Sequence, residues 1–171
     1  MDKSLPGGKF QPDAGFSNNP GLNAWQPRLE AADVQLSRRY IDTAMQGPAF
    51  QDFVAGKAQG AFPVAKLRPQ DQTRLQADTS VAYLSSETLA KQRDKHPELT
   101  VDDYRRIPDI VDQGEAFAQG NNRLVFLFEA GVVWRLALKA TAKRHELYVI
   151  HLIKTSREKA QREIRDRLRR N

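Results

Sequence analysis

The stretch from Arg123 to Ile153 constrains the fold more than any other part of this 171-residue chain. It contains three apolar segments rich in Val, Leu, Ile, Phe, Tyr and Trp, separated by two short turns. These residue types favour strands, and short turns join antiparallel neighbours. The sequence therefore predicts three consecutive strands of one antiparallel sheet, at Arg123–Glu129, Val132–Lys139 and His145–Ile153.

A basic helix is predicted directly after these strands. Ser156 is placed to cap it, and its apolar stripe is Ala160, Ile164 and Leu168. From Arg123 onward the chain has 13 Lys and Arg against five Asp and Glu, a net charge of +8. The whole chain carries +6, so the first 122 residues carry −2. A positive surface of this kind suits an anionic polymer, and RNA or DNA is the first candidate.

The charges of the helix also have a purely structural interpretation. Three acidic residues each precede an arginine by four positions, which is the favourable orientation for an ion pair on a solvated helix. By this count several cations still have no acidic partner in the helix and would favour a polyanion. The three pairs are Glu158–Arg162, Glu163–Arg167 and Asp166–Arg170.

The rest of the chain predicts an extended arm at residues 1–28, a helical and linker region at 29–78 and a compact domain at 79–171. The arm is rich in Gly, Pro, Asn and Gln and shows no periodicity. Its aromatic residues Phe16 and Trp25 are candidate anchors on a partner surface, with packing on its own domain as the alternative. The middle region predicts a helix at Leu29–Met45, a short helix at Ala49–Ala55, an extended segment at Phe62–Leu67 and a polar connection at Arg68–Asp78.

The compact domain begins with a predicted strand at Val81–Leu84. Ser85-Ser86-Glu87-Thr88 then opens a helix that runs to Lys95, with a serine as its N-cap, and His96-Pro97 ends it. Thr100 and Asp103 have the spacing of a capping box for the next helix, which Pro108 should bend or split. Helices followed by an antiparallel meander define an α+β fold, with helices packed on a twisted antiparallel sheet.

Composition excludes several classes of protein. The chain has no Cys, so it has neither a disulfide framework nor a thiolate metal site. Its three His are not spaced as metal ligands, and we expect neither a metal nor a cofactor. The longest apolar run, Leu124–Phe128, is far too short to cross a bilayer, so no membrane partner is expected.

Strand alternation groups the basic residues of the sheet. If the last turn is tight and residue 140 pairs with residue 145, Lys139 lies opposite Glu146 and Arg135 lies opposite Ile150. Tyr148 then lies between them on the same face. In this register His151 lies opposite Trp134 on the other face. A slip of one residue would exchange the two faces.

These residue types suit metal-free cleavage of RNA. A base removes the proton of the 2′-hydroxyl, an acid protonates the departing 5′-oxygen, and cations stabilise the charge on phosphorus. His151, Glu146 and Lys139 are the candidate catalytic residues. Arg135, with Thr155, Ser156 and Arg157 around the start of the last helix, is a candidate for binding phosphate. The structural alternative is a packed histidine beside Trp134 and an ordinary cross-strand ion pair between Lys139 and Glu146.

The order of motifs in the compact domain resembles a phage-encoded nuclease-like domain grouped with the barnase, EndoU, colicin-type and RelE-like ribonucleases. The resemblance covers roughly residues 79–156 and implies an α+β fold whose exposed sheet face forms the active site. It implies RNA cleavage, with only the strand residues above carried over. The segments that carry it are Val81–Leu89, His96–Thr100, Tyr104–Ile110, Leu124–Phe126 and the strand ending in His151.

The arm segment Gly15–Gly21, with Trp25 and Pro27 after it, is similar to the tail of minor head (head morphogenesis) proteins of Mu-like phages. Together the resemblances imply a virion-associated or morphogenesis protein of a phage or prophage, found in the host cytoplasm, the phage head or both. Its partners would be nucleic acid and, through the arm, head or portal proteins. If the protein is a toxin-like nuclease, an immunity protein would be a further candidate partner. The alternative is a non-catalytic minor head component that contacts capsid, portal or packaged DNA.

Overall fold

A computed structural model describes residues 36–170, apart from the side chains of Leu168 and Arg170. The predicted arm, with Phe16 and Trp25, lies outside the described residues, as does the first part of the helix predicted from Leu29. The helices are α1 (Arg38–Gln46), α2 (Pro48–Val54), α3 (Pro69–Leu75), α4 (Ser86–Lys95), α5 (Val101–Tyr104), α6 (Ile107–Gln113) and α7 (Arg157–Arg170). The strands are β1 (Ala61–Lys66), β2 (Val81–Ser85), β3 (Glu115–Ala118), β4 (Arg123–Ala130), β5 (Val132–Ala140) and β6 (Leu147–Thr155).

The six strands form one sheet in the order β1-β2-β6-β5-β4-β3. Neighbouring strands are antiparallel except β2 and β6, which pair in parallel through two residues of each strand. The α+β class predicted from the sequence is confirmed, and the predicted meander is the run β4-β5-β6. The sheet as a whole is mixed, because the last strand of the meander returns to the middle of the sheet beside β2.

The main hydrophobic core joins one face of the sheet, called here the core face, to the helices. Strand residues such as Phe126, Leu136 and Leu138 are fully buried there and belong to the same cluster as Ile41 of α1 and Ile107 of α6. The cluster includes residues on both sides of the predicted domain boundary at residue 79. The helices that precede β1 therefore share one core with the sheet.

Local sequence determines where most helices begin. The Ser85 hydroxyl accepts a hydrogen bond from the Thr88 N–H and caps α4. Thr100 and Asp103 form the predicted capping box of α5. The predicted split at Pro108 is also observed, since α5 ends at Tyr104 and α6 begins at Ile107. Proline fits this first turn because its missing N–H has no helical partner there.

The segment Arg68–Asp78 is not the simple connection that its polarity predicts, because it contains α3. This helix has Pro69 in its first turn and is held by two buried residues, Asp71 and Leu75. Asp71 accepts a hydrogen bond from Arg68 at 2.8 Å. A single apolar side chain gives no visible stripe, so periodicity could not reveal this helix.

The second half of β6 has no strand beside it on the β2 side, and α4 lies along it instead. Gln92 of α4 is buried and donates a hydrogen bond from Nε2 to the backbone carbonyl of Leu152 at 2.7 Å. Because α4 follows β2 without a loop, it runs along the edge that β2 leaves open. This satisfies a backbone acceptor that would otherwise be buried without a partner.

Candidate nucleic-acid interface on the outer sheet face

The register of β5 and β6 differs from the predicted one. Lys139 lies opposite Tyr148 and not Glu146, and Arg135 lies opposite Ile153 and not Ile150. The prediction was wrong because the connection is longer than a tight turn. Thr141 N–H donates to the Glu146 carbonyl at 3.0 Å, so residues 141–146 form the turn and β6 starts at Leu147. Arg144 takes a left-handed conformation in this turn, at φ 68°.

A β-bulge at Ile150 decides where His151 points. Leu138 pairs with Val149 but Ala137 pairs with His151, so Ile150 is an extra residue in β6. A bulge shifts alternation by one position and moves the following side chain to the other face. The prediction that His151 lies beside Trp134 was therefore wrong. His151 lies on the same face as Arg135, Ala137 and Lys139, which we call the α7 face because α7 packs on it.

Arg135 lies between His151 and the last helix. Its guanidinium contacts Nε2 of His151 on one side. On the other side it holds both carboxylate oxygens of Glu163 on α7, with N–O distances of 2.8–3.2 Å. Arg167 adds a second cation 3.7 Å from Glu163. The Arg135 side chain is 15% exposed and that of Glu163 is 23% exposed, so this ion pair is largely screened from water.

His151 is a neutral imidazole in this environment. Partial burial of the ring, and then the positive charge of Arg135, lower its pKa from 6.5 to about 4. His96, at the end of α4, and Arg123 act in the same direction, and Glu163 opposes them. A guanidinium can only donate, so Nε2 of His151 accepts and the ring proton lies on Nδ1. The hydrogen bonds from Arg135 lower the pKa of Glu163, although burial opposes them.

Two exposed cations lie directly opposite each other on the same face. Arg123 of β4 pairs with Lys139 of β5, and both side chains are exposed. Cross-strand partners have Cβ atoms about 4.5–5.5 Å apart, and like charges at this position repel. Neither cation forms an ion pair with any of the residues described by the structure. We call Arg123, Lys139 and Arg135, which follow one another on this face, the basic strip.

An aromatic ring lies beside the basic strip. Tyr148 is half-buried opposite Lys139, and its ring centroid is 6.4 Å from that of Tyr83 on β2. Burial raises the pKa of the Tyr148 hydroxyl, and the neighbouring Glu146 carboxylate adds to this effect, partly through a hydrogen bond. Glu146 is thus placed beside Tyr148 and not beside His151. Five residues of chain separate Glu146 from His151, about 15 Å in an extended strand.

The candidate phosphate-binding residues Thr155, Ser156 and Arg157 lie at the opposite end of β6. Thr155 is seven positions from Tyr148, the residue opposite Lys139, and four positions from His151, which are about 23 Å and about 13 Å along a strand. The Ser156 hydroxyl accepts a hydrogen bond from the Lys159 N–H and caps α7, as predicted. Arg157 forms an ion pair with Glu129. The structure therefore does not bring these three residues together with Lys139 and His151.

Sequence reasoning missed Glu163 and Arg123 as members of this site. Glu163 was assigned to an ion pair with Arg167, and that pair is present. Its stronger contact is with the sheet, which its position next to Ala160 and Ile164 on the inner side of the helix could have indicated. Arg123 could have been found by pairing β4 with β5 across the turn at Gly131, which places it opposite Lys139.

In the described part of the chain, no group of three or more His, Asp or Glu side chains is arranged to hold a metal ion. No described helix has the length and apolarity needed to cross a membrane. Comparisons with protein-family models, curated proteins and solved structures found no match. The resemblances to nuclease-like domains and to phage minor head proteins thus stay predictions.

Proposed function

We propose that this protein binds the phosphate backbone of RNA with the basic strip on the α7 face. The observation that carries the proposal is the direct cross-strand pairing of Arg123 with Lys139, both exposed. Two like charges at this spacing destabilise the isolated sheet. A phosphate between them would remove that repulsion and release bound counterions, which favours binding at low salt.

The surroundings of the strip favour a nucleic acid over an isolated anion. Tyr148 places an aromatic ring next to Lys139, and a base can stack on such a ring beside its own phosphate. The turns at the same end of the sheet contribute the exposed Lys143 and the half-buried Arg144. Stacking requires unpaired bases, so single-stranded RNA is the preferred ligand.

Metal-independent RNA cleavage is the second candidate function, and the environment of His151 favours it. When Arg135 turns from Nε2 of His151 to an RNA phosphate, the lone pair of Nε2 is free to accept the proton of a 2′-hydroxyl, and the guanidinium can stabilise charge that develops on phosphorus. Lys139 lies on the same face of β5, one same-face position beyond Ala137, which is the residue opposite His151. Glu146 has no part in this arrangement, because it lies beside Tyr148.

A role in a phage head, as a nuclease-like or a non-catalytic component, rests on the sequence resemblances and on the arm. A basic strip would serve packaged DNA in the same electrostatic way. The two ligands differ in the 2′-hydroxyl and in strandedness, so direct competition between single-stranded RNA and duplex DNA distinguishes them.

Fluorescence anisotropy with a labelled single-stranded oligoribonucleotide tests the binding proposal. We expect Arg123→Glu to weaken binding at least tenfold, and Arg123→Gln to reduce the slope of log affinity against log salt by about one. Arg39→Glu is the matched control, because Arg39 is exposed on α1, whose buried residues belong to the main core. Equal losses in Arg123→Glu and Arg39→Glu would show that net charge, and not the strip, determines affinity.

Cleavage is tested with the same RNA in the presence of EDTA. If His151 is the base, His151→Gln should reduce cleavage about a hundredfold or more, and the products should carry 2′,3′-cyclic phosphates. His145→Gln is the control, because His145 lies exposed in the β5–β6 turn and contacts Asp78. Undiminished cleavage by His151→Gln would remove His151 from the mechanism, and absence of cleavage by the wild type would leave binding as the function.

A further inference from the structure

The contact between Glu163 and Arg135 has the form of a phosphate contact. The planar guanidinium donates from Nε and from one terminal nitrogen to both oxygens of one carboxylate. Arginine binds two phosphate oxygens with the same pair of parallel N–H donors. The cation of the basic strip that lies nearest His151 is therefore already occupied by an anion from the protein itself.

Among the side chains that the structure describes, few apolar ones attach the helix that carries Glu163 to the sheet. Its buried cluster consists of Leu127, Val133 and Ala160, with Phe117 and Ile164 half-buried around it. The main core, by comparison, contains most of the buried side chains of the described chain. The other described contacts of the helix with the sheet are made by charged side chains: Glu163 with Arg135, the exposed Arg157–Glu129 pair, and the Arg167 guanidinium, which lies 5.4 Å from the centroid of the Phe117 ring.

Such a helix can leave the sheet at a lower free energy than global unfolding requires. It is the last described element, and a single residue, Ser156, joins it to β6. No strand or other helix has to move when it detaches. Salt or a competing anion would weaken the two ionic contacts and so favour the open state.

We propose that Glu163 competes with RNA phosphate for Arg135. The docked helix α7 therefore inhibits RNA binding by the basic strip until RNA displaces the helix. In the docked state the carboxylate of Glu163 occupies Arg135. In the open state Arg135 binds an RNA phosphate beside Arg123 and Lys139. This inference rests on the proposed function, because it describes regulation of the same surface. Docking of α7 on the sheet and binding of an RNA phosphate by Arg135 then exclude each other. A change that weakens docking strengthens RNA binding by the corresponding free energy.

Comparison of Glu163→Gln with Glu158→Gln tests the inference. Both variants remove one negative charge from α7, but Glu158 is 82% exposed and contacts Arg162 of its own helix, whereas Glu163 holds Arg135. We expect Glu163→Gln to bind the labelled RNA about tenfold more tightly than the wild type, and Glu158→Gln to change affinity by about twofold or less. In an Arg135→Gln background, Glu163→Gln should give no gain beyond that of Glu158→Gln.

Hydrogen exchange supplies a second measurement on the unmodified full chain. The amides of α7 should exchange faster when RNA is added, because the helix leaves the sheet. Unchanged or slower exchange in α7 would overturn the proposal that Glu163 competes with phosphate, as would equal effects of the two glutamine variants. If the wild type still bound RNA in that case, the proposed function would stand. Absence of RNA binding in the wild type and in Glu163→Gln would overturn both proposals.

Discussion

The two faces of the β4-β5-β6 meander are built from the same alternating sequences but have opposite characters. On the core face, Leu136 and its neighbours are fully buried against helices. On the α7 face, a single helix covers Leu127 and Val133, and the basic strip continues into solvent. The first face contributes stability, and the second carries the charged groups from which a binding site can be made.

The difference shows how a sheet separates stability from function. Polar and charged side chains on the α7 face do not disturb the packing of the core face, because alternate residues of a strand point to opposite sides. The α7 face can therefore hold repelling cations and a half-buried His151. The following predictions test this separation in order of expected effect.

The largest effect should come from truncating the same residue type on each face. Leu136→Ala removes a fully buried side chain from the main core, and we expect a loss of about 3 kcal/mol in the free energy of unfolding. Leu127→Ala, in the cluster under α7, should cost about half as much, since that cluster is small and can relax. Urea unfolding followed by circular dichroism measures both. Equal losses would mean that α7 is a full part of the core.

A smaller difference in the free energy of unfolding is expected between two variants of the α7 face. Arg135→Gln leaves the half-buried carboxylate of Glu163 with Arg167 alone and should destabilise the protein by about 2 kcal/mol. Lys139→Gln removes one of two repelling cations and should change stability by about 0.5 kcal/mol or less, in the stabilising direction at low salt. Urea unfolding at low and high salt checks both variants. A large loss of stability in Lys139→Gln would contradict the absence of an ion pair at Lys139 among the described residues.

The smallest effect concerns pH. Because the folded pKa of His151 is lowered from 6.5 to about 4, the unfolded chain takes up a proton first as pH falls, and stability declines across that interval. Relative to His151→Gln, the wild type should lose on the order of 1 kcal/mol between pH 7 and pH 5, a figure reduced for the solvent exposure of the ring. The lowered pKa of Glu163 adds a further loss below about pH 4.5 that both chains share.

Urea unfolding midpoints of the wild type and of His151→Gln at several pH values give the difference in stability. The other two histidines are present in both proteins, so their contributions cancel. The groups that act on His151 are Arg135 on β5, His96 just after α4, Glu163 on α7 and Arg123 on β4. A difference between wild type and variant that is independent of pH would show that His151 titrates normally. The lowered pKa of His151 in the folded protein would then be wrong.

Much of the fold could be predicted because local chemistry determines it. The Ser85 cap, the Thr100–Asp103 box and the split at Pro108 depend on neighbouring residues alone. The alternation in β5 likewise gave the correct grouping of Arg135 with Lys139. The helix α3 was missed because Leu75 is the only apolar side chain that it buries, so its position depends on distant contacts.

The candidate site could be predicted only in part, because its composition depends on pairing between elements distant in the chain. The length of the β5–β6 turn decided that Lys139 faces Tyr148, and the bulge at Ile150 decided that His151 faces Arg135. Neither the length of this turn nor the position of the bulge is marked by a distinctive residue pattern in this chain. Glu163 joined the site because α7 folds back onto the sheet, which its i,i+4 pairing did not indicate.

The sequence by itself thus determined the α+β class, the starts of α4, α5 and α7 and the strands of a basic meander, since caps, turns and alternation act over a few residues. Only the tertiary structure decided which charged groups meet. A single extra residue in β6 exchanges the faces of every side chain beyond it, and a single helix brings a carboxylate to Arg135. Strand register and helix packing set these contacts. Both depend on interactions between residues far apart in the chain, across the whole sheet.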